Sequence, residues 1–211
     1  MIALDLPAGA LSVLGIAAHP DDLEIGAGGT LLELAQRADL SISIMLFSGT
    51  PERVLEAQAA AAQFAPGADL RVTGFSDGRL PGSWNDVKEE MESTARHFTP
   101  DVIFSPTRLD AHQDHQLVSS LVPTVWRDSL VLEYEIPKWD GDLDRVTHYV
   151  AVTPKNARRK VELLDACYPS QVVRDWWDAE LFLGLMRLRG VECRTRYAEG
   201  FIVRKALLQV R

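Results

Sequence analysis

Cysteine is almost missing from this chain, with Cys167 and Cys193 the two among 211 residues. Thiols so few and so far apart supply neither a disulfide framework nor a CxxC metal or redox pair, and both are read as small, reduced core residues. Long apolar runs are missing too: none approaches the ~20 residues of a membrane-spanning helix. The opening MIALDLPAGA carries an aspartate and no Lys or Arg, whereas a secretory leader starts with a basic segment. A soluble, cytoplasmic protein with no membrane partner is the expectation. Positive charge is in short supply, 22 Lys and Arg against 30 Asp and Glu, for a net charge of −8. Nucleic-acid surfaces need clustered cations, so nucleic acid is set aside and small molecules are the expected partners.

What is present suits one globular unit. With 46% hydrophobic and 25% charged residues, the chain can bury a substantial core, and residues 1–211 are read as a single domain without repeats or linkers. Runs suited to buried strands at Leu11–Ala18, Ile42–Phe47, Leu70–Thr73, Val102–Phe104, Leu130–Ile136 and Val146–Val152 alternate with helical patterns. Helices are expected near Gly28–Ala38, Pro51–Phe64, Trp84–Phe98, His112–Val125, Pro154–Cys167 and Trp177–Leu188, with YAEGFIVRK as a terminal strand. Such alternation predicts an α/β three-layer sandwich: an open, mostly parallel sheet with helices on both faces and a ligand site at the carboxyl ends of the strands.

At that end lies AAHPDDLEIGAGG, residues 17–29, which gathers one histidine and three acids between a strand and a helix. Its glycines do not complete GxGxxG, because Leu31 stands where the last glycine belongs, and the Lys and Ser/Thr of a phosphate-binding loop are missing. They are read instead as a tight turn that lets backbone approach closely. Asp21 and Asp22 beside His19 would lose hydration and repel one another if buried without a cation. A second cluster follows the strand Val102–Phe104 in SPTRLDAHQDHQLV. There His112 and His115 share one face at the start of a helix, and Asp110 suits either a helix cap with Gln113 or a role behind a ligand. Three histidines with flanking acids at two strand ends point to a bound metal. His97 and His148 are read as ordinary surface or core residues, and Arg158, Arg159 and Lys160 as a solvated basic face.

These residues resemble the LmbE/PIG-L family of zinc-dependent N-acetylglucosaminyl deacetylases, through AHPDD-x-E-x-G-x-GG-TL and the downstream D-x-H-x-D-H. Weaker echoes lie at Arg53 and Glu56, Asp77-Gly78, Ser170-Gln171 and Ala198-Glu199, while Ser105-Pro106 replaces the family's His-Gly step. The resemblance implies a Rossmann-like fold, an N-acetylated amino-sugar substrate and a Zn2+ centre held by His19, Asp22 and His115, with Fe2+ as an alternative ion. It implies Asp21 as the general base toward an activated water and His112 as the acid that protonates the departing amine, with Asp114 keeping His112 charged and oriented. Arg53 and Asp77 are expected to hold sugar hydroxyls, and Glu24 to accept from backbone amides of the glycine turn. A homo-oligomer is expected from family habit and from tryptophans such as Trp176 and Trp177. Two other readings share the residues: a non-heme iron oxygenase built on two histidines and one carboxylate, and an inactive metal-containing sugar-binding protein.

Overall fold

A computed structural model describes residues 2–208. The chain opens with β1 (Leu11–Ala17), α1 (Asp22–Leu34), β2 (Leu40–Ser48), α2 (Pro51–Phe64) and β3 (Asp69–Phe75). A 3-10 turn at Leu80–Ser83 leads into α3 (Trp84–Ala95), β4 (Val102–Pro106), α4 (Gln113–Val125) and β5 (Leu130–Tyr134). Then come β6 (His148–Val152), α5 (Pro154–Cys167), α6 (Ala179–Cys193) and β7 (Tyr197–Ile202). One sheet holds all seven strands in the order β3-β2-β1-β4-β5-β7-β6. Pairings from β3 through β5 are parallel, and β7 runs antiparallel to both its neighbours.

Strands buried on both faces read as continuous apolar runs, as β1 does in LSVLGIA. Alternate side chains of β1 feed two cores. Leu11, Val13 and Ala17 pack toward α1, α2, α5 and α6, whereas Leu14 and Ile16 pack toward α3 and α4. The expected α/β sandwich is therefore the observed one. Among the described residues no helix is long and apolar enough to cross a membrane. Because the chain winds outward in one direction from β1 and in the other from β4, the loops after these adjacent strands diverge and leave a crevice at their carboxyl ends. Those two loops carry His19–Asp21 and Thr107–His112.

Helix α1 begins at Asp22, so Gly26, Gly28 and Gly29 lie inside it and not in a preceding turn. Low helix propensity is overridden by crowding: a Cβ on Gly26 would stand 2.2 Å from Tyr134 Cδ2, and one on Gly28 2.8 Å from Phe64 Cε1. Boundaries differ elsewhere for local reasons. Asp178 caps α6 by accepting from the Leu181 N–H at 2.7 Å, which moves its start past Trp177. His112 is itself the cap of α4, not its first residue.

A buried ion pair is spliced into α1. Lys160 Nζ donates to Ile25 O (2.5 Å) and to Glu199 Oε1 (2.7 Å), while Glu199 accepts from Gly29 N–H (2.8 Å), Thr30 N–H (2.6 Å) and the Thr30 hydroxyl (2.6 Å). Lys160 thus departs from the solvated face on which Arg158 and Arg159 remain exposed. The pair ties the helix carrying Asp22 to α5 and β7.

Candidate metal centre

Three donor atoms converge in the crevice. His19 Nδ1 lies 3.0 Å from His115 Nε2, and Asp22 Oδ2 lies 3.5 Å from the first and 3.2 Å from the second. A tetrahedral ion with bonds of about 2.0–2.1 Å needs ligand atoms roughly 3.3 Å apart, so this triangle fits such an ion with a fourth position open. The imidazole of His112 also approaches both other histidines, but its Nδ1 accepts the Asp114 N–H at 3.2 Å, which leaves Asp22 as the better third donor.

Each converging histidine has a carboxylate behind it. Asp110 Oδ2 lies 2.8 Å from His115 Nδ1, and His19 Nε2 faces Asp114 Oδ2 at 3.2 Å and Asp77 Oδ1 at 3.1 Å. Carboxylates so placed fix the ring orientation and raise the basicity of a ligating imidazole. Electrostatics agree. Burial opposes charge on His19, yet Asp22, Asp114 and Asp77 outweigh it and push its pKa up to about 12. Burial likewise opposes charge on His115, but Asp22 and Asp110 raise it to about 9. Asp22 would be pushed up by burial and is instead held well below the usual carboxylate range by His115 and His19. The surrounding carboxylates thus favour positive charge at this point of the crevice, on the imidazoles or on a cation between them.

Asp21 occupies the turn before α1 with φ of 93°, a left-handed conformation uncommon for a residue with a side chain. Arg53 holds it there. The Arg53 guanidinium sits 2.8 Å from Asp21 Oδ2, donates to Pro20 O, and lies 3.2 Å from Glu56 Oε2. Burial raises the Asp21 carboxyl to about 7 against the pull of Arg53. His112 stands beside the triangle, its ring centroid 4.6 Å from that of His19 and 4.8 Å from that of His115. With Nδ1 accepting, the neutral ring carries its proton on Nε2.

The family model described as "PIG-L: GlcNAc-PI de-N-acetylase" matches residues 14–126. The chain belongs to the PIG-L family. A relative from Escherichia coli (strain K12), "Uncharacterized deacetylase YaiS", is 28% identical over 137 residues, 59% of this chain and 74% of that protein. The crystal structure of the conserved protein TT1542 from Thermus thermophilus matches with a TM-score of 0.78 at 24% identity, covering 95% of this chain and 97% of that one. N,N'-diacetylchitobiose deacetylase from Pyrococcus horikoshii matches with a TM-score of 0.73 at 20% identity, covering 92% and 84%. At those identities the solved structures speak for a shared fold.

In this PIG-L chain His19, Asp21, Asp22, Arg53, Asp77, His112, Asp114 and His115 gather at one end of the sheet, but Asp114 and Glu24 touch partners other than those expected. Asp114 does not reach the His112 ring: its fully buried carboxylate accepts from Gly78 N–H (2.8 Å) and Leu80 N–H (3.1 Å) and faces His19. Burial and its neighbours His115 and His19 depress the pKa of His112, against the pull of Asp114. Asp77 touches His19, and Arg53 touches Asp21. Glu24 accepts from the Tyr168 hydroxyl at 2.8 Å, because the glycines it was expected to serve are already helical. Burial lifts the Glu24 carboxyl to about 7. Lys138 escaped notice in the sequence: its Nζ lies 2.9 Å from both oxygens of Asp110, and no local pattern in WDGD announces the contact.

Proposed function

We propose that this protein is a metal-dependent N-deacetylase that hydrolyses the acetamide of an N-acetylated amino sugar, with zinc as its resident ion. The observation that carries the reading is the triangle of His19 Nδ1, Asp22 Oδ2 and His115 Nε2 with an acid and an imidazole at its edge. Family membership and relatives named as deacetylases support it. The donor set alone would also suit iron(II), but the parallel α/β sheet differs from the barrels of short strands on which two-histidine oxygenases are expected.

His19, Asp22 and His115 would hold the zinc, which would supply Lewis acidity toward water and the acetyl carbonyl. Asp21 takes the proton from the attacking water, a task suited to a carboxyl lifted to about 7 by burial. Arg53 keeps that carboxylate aimed despite its left-handed backbone. His112 offers its Nε2–H to the carbonyl oxygen as negative charge develops there. To serve as the acid for the departing amine it takes a second proton from solvent at Nδ1, displacing the Asp114 N–H, and gives its Nε2 proton to the amine as the C–N bond breaks, while the proton held by Asp21 returns to solvent as acetate leaves. Asp21→Asn should retain bound zinc while amine release from N-acetylglucosamine and N,N'-diacetylchitobiose falls by about 10²–10⁴-fold. Equal amine release from Asp21→Asn and the parent would remove the base assignment.

A further inference from the structure

Two loops outside the metal triangle meet at one exposed indole. The first, between β5 and β6, is tied to the centre by Lys138, whose ammonium grips Asp110 behind His115. The second, between α5 and α6, is tied to the opposite side: the Ser170 N–H and hydroxyl donate to Glu56 at 2.8 and 2.7 Å, and Glu56 pairs with Arg53 on Asp21. Their junction is Trp139. Its indole N–H donates to Asp175 Oδ1 at 2.9 Å, and its ring meets Trp176 edge to face with centroids 5.9 Å apart. The Arg174 guanidinium lies 5.8 Å from the ring centroid, and its Nε is itself held by Gln171 at 3.0 Å. Yet Trp139 stays 62% exposed.

A tryptophan with its N–H satisfied, its edge braced and a cation on its ring has a fixed orientation while most of its surface meets water. Such a ring loses little conformational freedom when something stacks on it. Asp175 and Arg174, which touch it, and its chain neighbour Asp140 bring hydrogen-bonding groups to its rim. An apolar plane fringed by donors and acceptors is complementary to a pyranose, whose C–H face is apolar and whose rim carries hydroxyls. We propose that Trp139 is the platform for a second sugar ring of the substrate, beyond the acetamido sugar that is cleaved. Trp139 is then a specificity-determining residue that favours a disaccharide or longer glycoside over the free amino sugar. The inference rests on the amino-sugar reading above and adds to it what lies next to the reacting unit.

Calorimetric titration of N,N'-diacetylchitobiose and of N-acetylglucosamine into zinc-loaded Asp21→Asn protein, which does not consume them, tests the platform. Adding Trp139→Ala should weaken disaccharide binding roughly 2- to 10-fold and leave the monosaccharide unchanged, while Trp139→Phe should recover most of the loss. Equal losses for both sugars, no loss for the disaccharide, or no saccharide binding at all would overturn the proposal. So would a change in oligomeric mass on gel filtration with sugar affinity unaltered, which would make Trp139 a subunit contact. Amine release by the parent protein is scored separately. Trp139-dependent disaccharide affinity without any deacetylation would sink the deacetylase reading alone, and deacetylation with affinity indifferent to Trp139 would sink the platform alone.

Discussion

Removing the ammonium of Lys160 asks how firmly the helix that carries Asp22 is anchored. Lys160→Met keeps the aliphatic stem, but Ile25 O loses its donor and Glu199 loses its counter-charge. Breaking one side of a buried ion pair costs about 3–5 kcal/mol. Because Glu199 still accepts from two backbone N–H groups and a hydroxyl of α1, the loss should fall toward the lower end of that range. Glu199→Ala should be worse, since it strands the buried ammonium and also removes the acceptor of the Thr30 hydroxyl, a loss of about 1–3 kcal/mol for a buried group left unpaired. Lys160→Met with Glu199→Gln removes both charges together. That double change should cost less than the sum of its parts by about 1 kcal/mol or more, the coupling expected of groups in contact. Urea unfolding followed by circular dichroism gives the four free energies, provided the slopes agree. At about 2–4 °C per kcal/mol for a chain of this size, Lys160→Met should melt roughly 6–20 °C below the parent. A Lys160→Met protein within about 1 kcal/mol of the parent, or a strictly additive double variant, would refute the claim that this pair anchors α1.

Three further outcomes are expected. His115→Ala should lower the metal bound per chain by elemental analysis while His112→Ala retains it; loss with both would redraw the ligand set. Asp114→Asn should weaken metal binding about 10- to 100-fold in competition with a chromogenic chelator, because the acid fixes both His19 and the loop at Gly78–Leu80; unchanged affinity would deny it that role. Gly26→Ala should lose about 2 kcal/mol or more: overpacking against Tyr134, whose hydroxyl is already bonded to Ile16 O at 2.7 Å, exceeds the ~1 kcal/mol gained in helix propensity. A rise in melting temperature for that variant would contradict the packing at this position.

The sheet was legible because buried parallel strands are apolar on both faces, and the Val102–Phe104 and Leu11–Ala18 runs announce the two strands that matter most. The convergence of His19, Asp22 and His115 was legible because two short motifs that resemble the family's stand at the ends of strands that prove to be neighbours. Their partners were not. Sequence adjacency assigns Asp114 to His112, but a side chain in the first turn of α4 reaches across to the His19 ring and the Gly78 loop, and that becomes visible only once β1 and β4 are neighbours. The start of α1 was misplaced because three glycines depress helix propensity, a local preference that burial against Tyr134 and Phe64 overrides. Lys160 did carry a signal. It falls between Ala157, Val161 and Leu164 on the buried stripe of α5, at helical spacing, while its neighbours Arg158 and Arg159 face outward.

The reach of Glu199 into α1 bears on the order in which the protein can be made. Every residue of the proposed metal triangle lies at or before His115, and the segment matched to the family ends at 126, yet Glu199, which accepts from Gly29, Thr30 and Lys160, lies on β7. A nascent chain halted before that strand holds all three residues of the triangle but leaves Lys160, set against α1, without its carboxylate. The helix that carries Asp22 is thus fully anchored only by a strand far downstream of His115.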